Sequence, residues 1–334
     1  ICGRLVSRKA GQPLTQERLK SRLKSALASR EALFDDHCYR WVYGDSDGLP
    51  GLVIDRFGDV IVVQVSNAGI ELLLEALLAA INELLLGLNI LLKNDGKMRA
   101  IEGLDEYVRV AQGDVPKLVP LKENGVSFLA PVWDGQKTGW FYDHRLNRRR
   151  VQKLSAGKRV LDIFSYIGGW GIQSAAAGAK EVICVDASAP ALDLVHQQAE
   201  LNGVADKVHS LRGDAFAAMK QLHEDGERFD VVIIDPPAFI ARRKDIKAGE
   251  LAYQRANQLA MRLLTPEGIL VSASCSMHLE RTRLTQLLQE ACRKNGRNGQ
   301  VLEQGGQGGD HPIHPAIPET DYLKSVILRT WYED

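Results

Sequence analysis

The sequence predicts a doubly wound α/β domain preceded by a small α+β domain, and three observations carry that prediction. After about residue 125, short apolar runs alternate with segments of helical length and spacing. Those runs are nearly continuous rather than alternating, the pattern of parallel strands covered on both faces. The 334 residues, 45% hydrophobic and 25% charged, exceed one ordinary compact domain and suffice for two cores.

Residues 1–14 read as the end of a preceding module, with a short β-like run from Gly3 to Ser7 and then Gly11 and Pro13. Thr15 to Arg30 spaces Leu19, Leu23, Ala26 and Leu27 as one face of a helix. Strands follow at Arg40 to Tyr43, Gly51 to Asp55 and Val60 to Ser66, punctuated by Gly44-Asp45 and Gly58-Asp59. A leucine-rich helix spans Ile70 to Leu86, and strands run at Asn89 to Lys93, Tyr107 to Ala111, Leu118 to Glu123 and Val126 to Ala130. The α+β domain is therefore placed at 15–125 and the α/β domain at 126–334. In the latter, strands are expected at Val160 to Phe164, Glu181 to Asp186, Val208 to Leu211, Asp230 to Asp235 and Gly268 to Ser272. The helices between and after them are Gly171 to Ala177, Ala189 to Asn202, Ala215 to Leu222, Gly249 to Leu264 and Glu280 to Lys294.

Composition narrows the function classes. Lys plus Arg and Asp plus Glu number 42 each, so net charge predicts no polyanionic partner. The five cysteines, Cys2, Cys38, Cys184, Cys275 and Cys292, form no Cys-x-x-Cys pair. That argues against a disulfide framework or zinc site and for a reducing, cytoplasmic compartment. No metal cluster is expected. The apolar stretch near Leu72 to Leu86 is broken by Glu75, Asn82 and Glu83, so it reads as a core helix and not a membrane span. No signal peptide is visible.

In a doubly wound sheet, ligands bind beyond the C-terminal strand ends. Asp162-Ile-Phe164-Ser165-Tyr166-Ile-Gly168-Gly169-Trp-Gly stands where the first strand turns into the first helix. Its glycines let the backbone approach a ligand, and the helix start offers amide donors. Asp186, followed by Ala187 and Ser188, ends the second strand, where a carboxylate can accept ribose hydroxyls. Asp214, followed by Ala215, ends the third, where one can accept an adenine amino group. Asn202 is added as a cofactor contact. A glycine turn alone fits several nucleotide cofactors. Carboxylates at three successive strand ends repel a pyrophosphate but suit the cationic methionine end of S-adenosylmethionine. The cofactor is therefore expected to be a methyl donor.

Asp235-Pro236-Pro237-Ala238-Phe239 follows the fourth strand. Two prolines leave carbonyl acceptors and few amide donors, a surface for an exocyclic amine, with Phe239 to stack on a planar base. Cys275, between Ser274 and Ser276 after the fifth strand, faces the same crevice. A thiolate adding to C6 of cytosine makes C5 nucleophilic, and such covalent activation needs one cysteine and an acid near N3. Cys275 and Asp235 are the catalytic candidates, whereas Cys184 and Cys292 read as core fillers. Gln136, Tyr142 and Arg145 are expected to cover the methionine end of the cofactor, with Arg145 pairing its carboxylate. Arg242, Arg243 and Lys244, with Arg148, Arg149 and Arg150, are phosphate-binding candidates, although charge runs are often solvated helix faces. Asp310-His311-Pro312 reads either as reaching the active site or as a plain loop. Two rivals are kept: a guanine-N7 RNA methyltransferase, which needs no cysteine, and a non-catalytic RNA-binding assembly factor.

Together, Leu49-Pro-Gly-Leu-Val-Ile-Asp55, Gln136-Lys-Thr-Gly139, Asp162-Ile-Phe-Ser-Tyr166, Asp235-Pro-Pro-x-Phe239 and Ser274-Cys-Ser276 resemble the bacterial 23S rRNA large-subunit methyltransferase I family. The resemblance implies a PUA domain, a central domain of strands around one helix and a Rossmann-like class I methyltransferase domain. It implies S-adenosyl-L-methionine as cofactor, 5-methylcytidine as product, and 23S rRNA or a large-subunit precursor as partner. A homodimer is left open. Cys275 is then the nucleophile, and Asp162, Asp186, Asp214 and Asp235 frame cofactor and base. Only residues 1–14 stand where the end of a PUA domain belongs. Ala238 stands where the other large group of RNA cytosine methyltransferases carries a second cysteine, so the group that releases the product is not legible.

Overall fold

A computed structural model describes residues 3 and 5–332. In chain order the elements are α1 (Gln16–Glu31), β1 (Cys38–Tyr43), β2 (Leu52–Phe57), β3 (Val60–Val65), α2 (Ala68–Glu71), α3 (Leu74–Leu84), β4 (Asn89–Asn94), α4 (Met98–Ile101), β5 (Tyr107–Gln112), β6 (Leu118–Glu123) and β7 (Val126–Pro131). They continue with α5 (Arg145–Ser155), β8 (Arg159–Ile163), α6 (Gly169–Ala176), β9 (Glu181–Asp186), α7 (Ala189–Leu201), β10 (Val208–Arg212), α8 (Ala215–Glu224), β11 (Phe229–Ile234), α9 (Ile246–Arg262), β12 (Leu264–Ser274), α10 (Arg281–Lys294), β13 (Arg297–Gly305) and β14 (Lys324–Tyr332). Of the run Gly3 to Ser7, Arg4 lies outside the described residues and the rest forms no strand.

The chain divides into two compact units, and the division is not one cut near residue 125: residues 1–123, 128–143 and 308–320 make one, and 124–127, 144–307 and 321–334 the other. The first holds the sheet β1-β2-β3-β4-β5, in which only the β3–β4 pair is parallel. Alternate residues of these strands (Tyr39, Trp41, Ile54, Ile61, Val63, Ile90) pack with Leu19 and Leu23 of α1 and Leu77 and Ile81 of α3 into one core. The helix expected over Ile70 to Leu86 is two, because Leu73 leaves helical angles at φ −103° and ψ 12°. In this unit Asp55, fully buried, accepts from Arg40 Nε and Nη2 at 2.8 Å each and from Thr138 Oγ1 at 2.6 Å.

The second unit is a seven-stranded sheet of order β10-β9-β8-β11-β12-β14-β13. The first five are parallel, and β14 and β13 are antiparallel additions that the sequence pattern does not announce. β13, R-N-G-Q-V-L-E-Q-G, carries two glycines and only two aliphatic residues and so lacks an apolar run. On one face Leu161, Ile163, Val232, Ile234 and Leu270 pack against α8, α9 and α10. The chain leaves β8 outward to β9 and β10, then returns to β11 on the other side of β8. That reversal opens a crevice beyond the C-terminal ends of β8 and β11.

Candidate active site

Strand register brings the crevice residues together. Ile163 is level with Val185 on one side and Ile234 on the other, and Ile234 with Ser272. Phe164, Asp186, Asp235 and Cys275 therefore leave the sheet along one edge. The turn after β8 is conformationally costly. Phe164 and Tyr166 have φ of 65° and 49°, a region that side chains enter at about 1–2 kcal/mol each. Asp186 holds the turn in place: Oδ2 accepts from Tyr166 N and Oδ1 from Ser188 N, both at 2.9 Å. Gly168 takes φ 81° at the start of α6, which no side chain adopts without strain.

Asp162 lies beneath this turn, fully buried. Its Oδ2 accepts from Gly171 N at 2.9 Å, while Oδ1 and the nearby Ser165 Oγ are buried without a hydrogen-bond partner. Burial first, and then the charges of Asp235 and Asp186, push the Asp162 carboxyl up to about 8. Gly171 has no alternative, since a Cβ there would stand 2.6 Å from Cys184 Sγ and 3.2 Å from Asp162 Oδ2.

Asp235, about one-fifth exposed, receives the Trp170 indole N–H at 3.0 Å on Oδ2. His144 Nε2 stands 3.2 Å from Oδ1 but off the line of a hydrogen bond. Asn147 Nδ2 sits 3.0 Å from His144 Nδ1 and also donates to the Gly306 carbonyl, an orientation that makes Nδ1 the acceptor and leaves the ring proton on Nε2. Cys275, half-buried, is held through its neighbours: Tyr253 Oη bridges Ser274 Oγ at 2.9 Å and Ser276 Oγ at 2.8 Å, and Ser276 Oγ accepts from Ile240 N. One crevice thus combines a floor of crowded carboxyl groups, a carboxylate clamped by an indole, and a thiol.

Residues 105–298 match the S-adenosylmethionine-dependent methyltransferase family. The ribosomal RNA large subunit methyltransferase I of Aeromonas salmonicida is 40% identical over 92% of this chain and 79% of its own length. The chain belongs to the ribosomal RNA large subunit methyltransferase I family. The Erwinia tasmaniensis member is 38% identical over 92% of this chain and 77% of its own. The crystal structure of SMU.776 complexed with SAH superposes with a TM-score of 0.85 at 21% identity, covering 97% of this chain and 84% of that one. That likeness shows the fold.

The residues of this methyltransferase fit S-adenosylmethionine. The two orphaned buried oxygens and the crowding of Asp162, Asp186 and Asp235 form a crevice that a cation stabilises and a pyrophosphate does not. Other predicted residues are placed differently. Asp214 is exposed and caps α8, accepting from Ala217 N at 3.0 Å, with Ala215 buried behind it. Ser188 caps α7 and Ala187 is exposed beside it. Asn202 is a correction. It closes the far end of the 13-residue α7, about 20 Å from Ser188, and pairs with Ser127 N and O. Gln136 and Tyr142 belong to the first unit, where Gln136 is an exposed turn residue and Tyr142 Oη donates to the Arg56 carbonyl at 2.9 Å. Asp310-His311 is also there, buried, with His311 Nδ1 donating to Asp310 Oδ1 at 3.0 Å.

Phe239, expected to stack on a base, is turned into an aromatic cluster with Phe164, Phe216 and Tyr253, its centroid 4.8 Å from that of Tyr253. Pro236 is buried and Pro237 exposed. Arg242, Arg243 and Lys244 are exposed, and Arg242 pairs with Asp245 at 3.0 Å. Helical geometry divides the other arginines: Arg145 and Arg148 are buried, Arg148 over the Trp170 ring, while Arg149 and Arg150 are exposed. Four residues escaped the sequence reading: His144, Trp170, Tyr253 and Lys324. Trp170 stands within the glycine turn and was legible in principle; the others reach the crevice only through tertiary contacts. Among the described residues, no helix is long and apolar enough to cross a membrane and no acidic, His or Cys cluster suits a metal.

Proposed function

We propose that this chain methylates large-subunit ribosomal RNA and forms 5-methylcytidine through a covalent adduct between Cys275 and C6 of a cytidine. The observation that carries the reading is the adjacency of a half-buried thiol and a clamped carboxylate at the ends of neighbouring strands, Cys275 after β12 and Asp235 after β11. The names of the relatives support the ribosomal RNA class. The 23S molecule, or a precursor of the large subunit, is the substrate this reading requires.

Asp162, Ser165, Tyr166, Gly168 and Asp186 would hold the cofactor. Bound S-adenosylmethionine supplies a methyl group on a positively charged sulfur. Cytosine C5 is a poor nucleophile, so the chain must activate it. Attack of the Cys275 thiolate forms the S–C6 bond and moves the C5–C6 electron pair onto C5, with Asp235 supporting N3. Once C5 carries the methyl group, loss of its proton returns that electron pair and breaks the S–C6 bond, freeing the thiolate. A base inside a helix cannot reach such a crevice, so the nucleotide must be extruded or single-stranded. Trp170 fixes the carboxylate rather than reacting.

The test is nucleoside mass mapping of rRNA treated with the enzyme and labelled donor. Cys275→Ala is expected to abolish 5-methylcytidine while donor binding persists. Undiminished product from this variant would remove the covalent step.

A further inference from the structure

Lys324 opens β14 directly across from Ser274, the last residue of β12. Its Nζ donates to the Ser276 carbonyl at 2.6 Å and to the Tyr322 carbonyl at 2.7 Å. The backbone of Lys324 is thus level with the residue before Cys275, and its amine grips the residue after it. Only 4% of Lys324 is exposed. Two carbonyl oxygens take two of the ammonium's three donors and supply no countercharge. The charged groups that act on it are Asp321, Cys275 and Arg281. Asp321 is exposed, and Arg281 is occupied with the Gly305 and Leu323 carbonyls. From α9, Tyr253 faces the thiol with a neutral hydroxyl whose proton burial retains.

We propose that Lys324 is a positioning residue that holds Cys275 in its thiolate form and fixes the loop carrying it. When the Sγ–H bond breaks, the electron pair stays on sulfur, the proton leaves through the half-exposed face, and the ammonium balances the charge. Burial lowers the Lys324 amine to about 8, and a thiolate at Cys275 works in the opposite direction. That coupling is reciprocal: whatever the thiolate does for the ammonium, the ammonium does for the thiolate. This inference rests on the reading of Cys275 as nucleophile, and its test uses no RNA.

The test measures the rate at which iodoacetamide alkylates Cys275 across pH, read by peptide mass spectrometry on the full chain. The parent midpoint is expected below about 8.5, the value of an ordinary thiol. Lys324→Met keeps the stem but not the charge and should move the midpoint up by about one unit, with roughly tenfold slower alkylation near neutrality. Lys324→Arg should stay near the parent. A parent midpoint at or above the ordinary value overturns the proposal without any variant. So does a midpoint indifferent to Lys324→Met, or an equal shift in Met and Arg, which would mean that only packing was disturbed. A Lys324-dependent midpoint beside a product other than 5-methylcytidine would uphold the ion pair and sink the cytosine reading.

Discussion

Asp162 is asked to remain in a place where ionisation is unfavourable. Burial, with Asp235 and Asp186 nearby, holds its carboxyl at about 8 in the folded chain, whereas an unfolded aspartate titrates near 4. Between those values the folded state keeps a proton that the unfolded state has lost, so stability falls as pH rises across that window. Asp162→Asn removes the titrating group while an amide oxygen still accepts from Gly171 N. The variant should therefore melt higher than the parent at about pH 8, with the gap closing toward pH 4. A gap that does not vary with pH refutes the assignment. Calorimetry should find the same variant binding S-adenosylmethionine at least about tenfold more weakly, since a hydrogen bond to a charged group is worth about 1.5–3 kcal/mol. Trp170→Phe tests the next contact. It deletes the N–H on Asp235 Oδ2 and leaves a smaller aromatic ring in its place. Turnover is expected to fall about tenfold with little change in melting temperature, because one charge-assisted donor is lost from a packed site. Unchanged kcat would mean that the clamp is incidental.

At the scale of an element, α6 shows how close packing builds the cofactor turn. Gly171 stands against Cys184 on β9 and Val182 beside it, at distances where a methyl group has no room. Gly171→Ala should cost about 1–3 kcal/mol in urea unfolding, the ordinary range for overpacking. Cys184→Ala in the same chain should recover much of that loss, because it removes the nearest atom. Strictly additive effects of the two changes would show that Cys184 is not what excludes the side chain. The turn itself is held against its own backbone preference by Asp186, which explains why a carboxylate that could serve ribose hydroxyls already accepts two amides. Each oxygen retains a second lone pair for a ligand.

At the scale of the molecule, segments remote in sequence are closed by buried charge. In the first unit Arg40 N donates to Asp310 Oδ2 at 3.1 Å, and the Arg40 side chain meets Asp55, which also accepts from Thr138. Four separate stretches of chain depend on this group. Removing one partner of a buried pair leaves the other charge uncompensated, so Asp55→Ala should destabilise the chain by about 3–5 kcal/mol in denaturant titration. A loss under about 1 kcal/mol would mean that the network is solvated and structurally minor.

The five parallel strands, the crevice aspartates and Cys275 were legible because continuous apolar runs and strand-end polar residues are local patterns. Each is set by the period of a strand and by the chemistry of the residue that follows it. Lys324 and the strand it opens, the Trp170 clamp on Asp235, the inward turn of Phe239 and the removal of Asn202 to the far end of α7 were decided only by the fold. Those facts depend on which distant segments share an edge, and on burial that strips water from charges and so gives contacts their energy. A periodicity read along one chain contains neither.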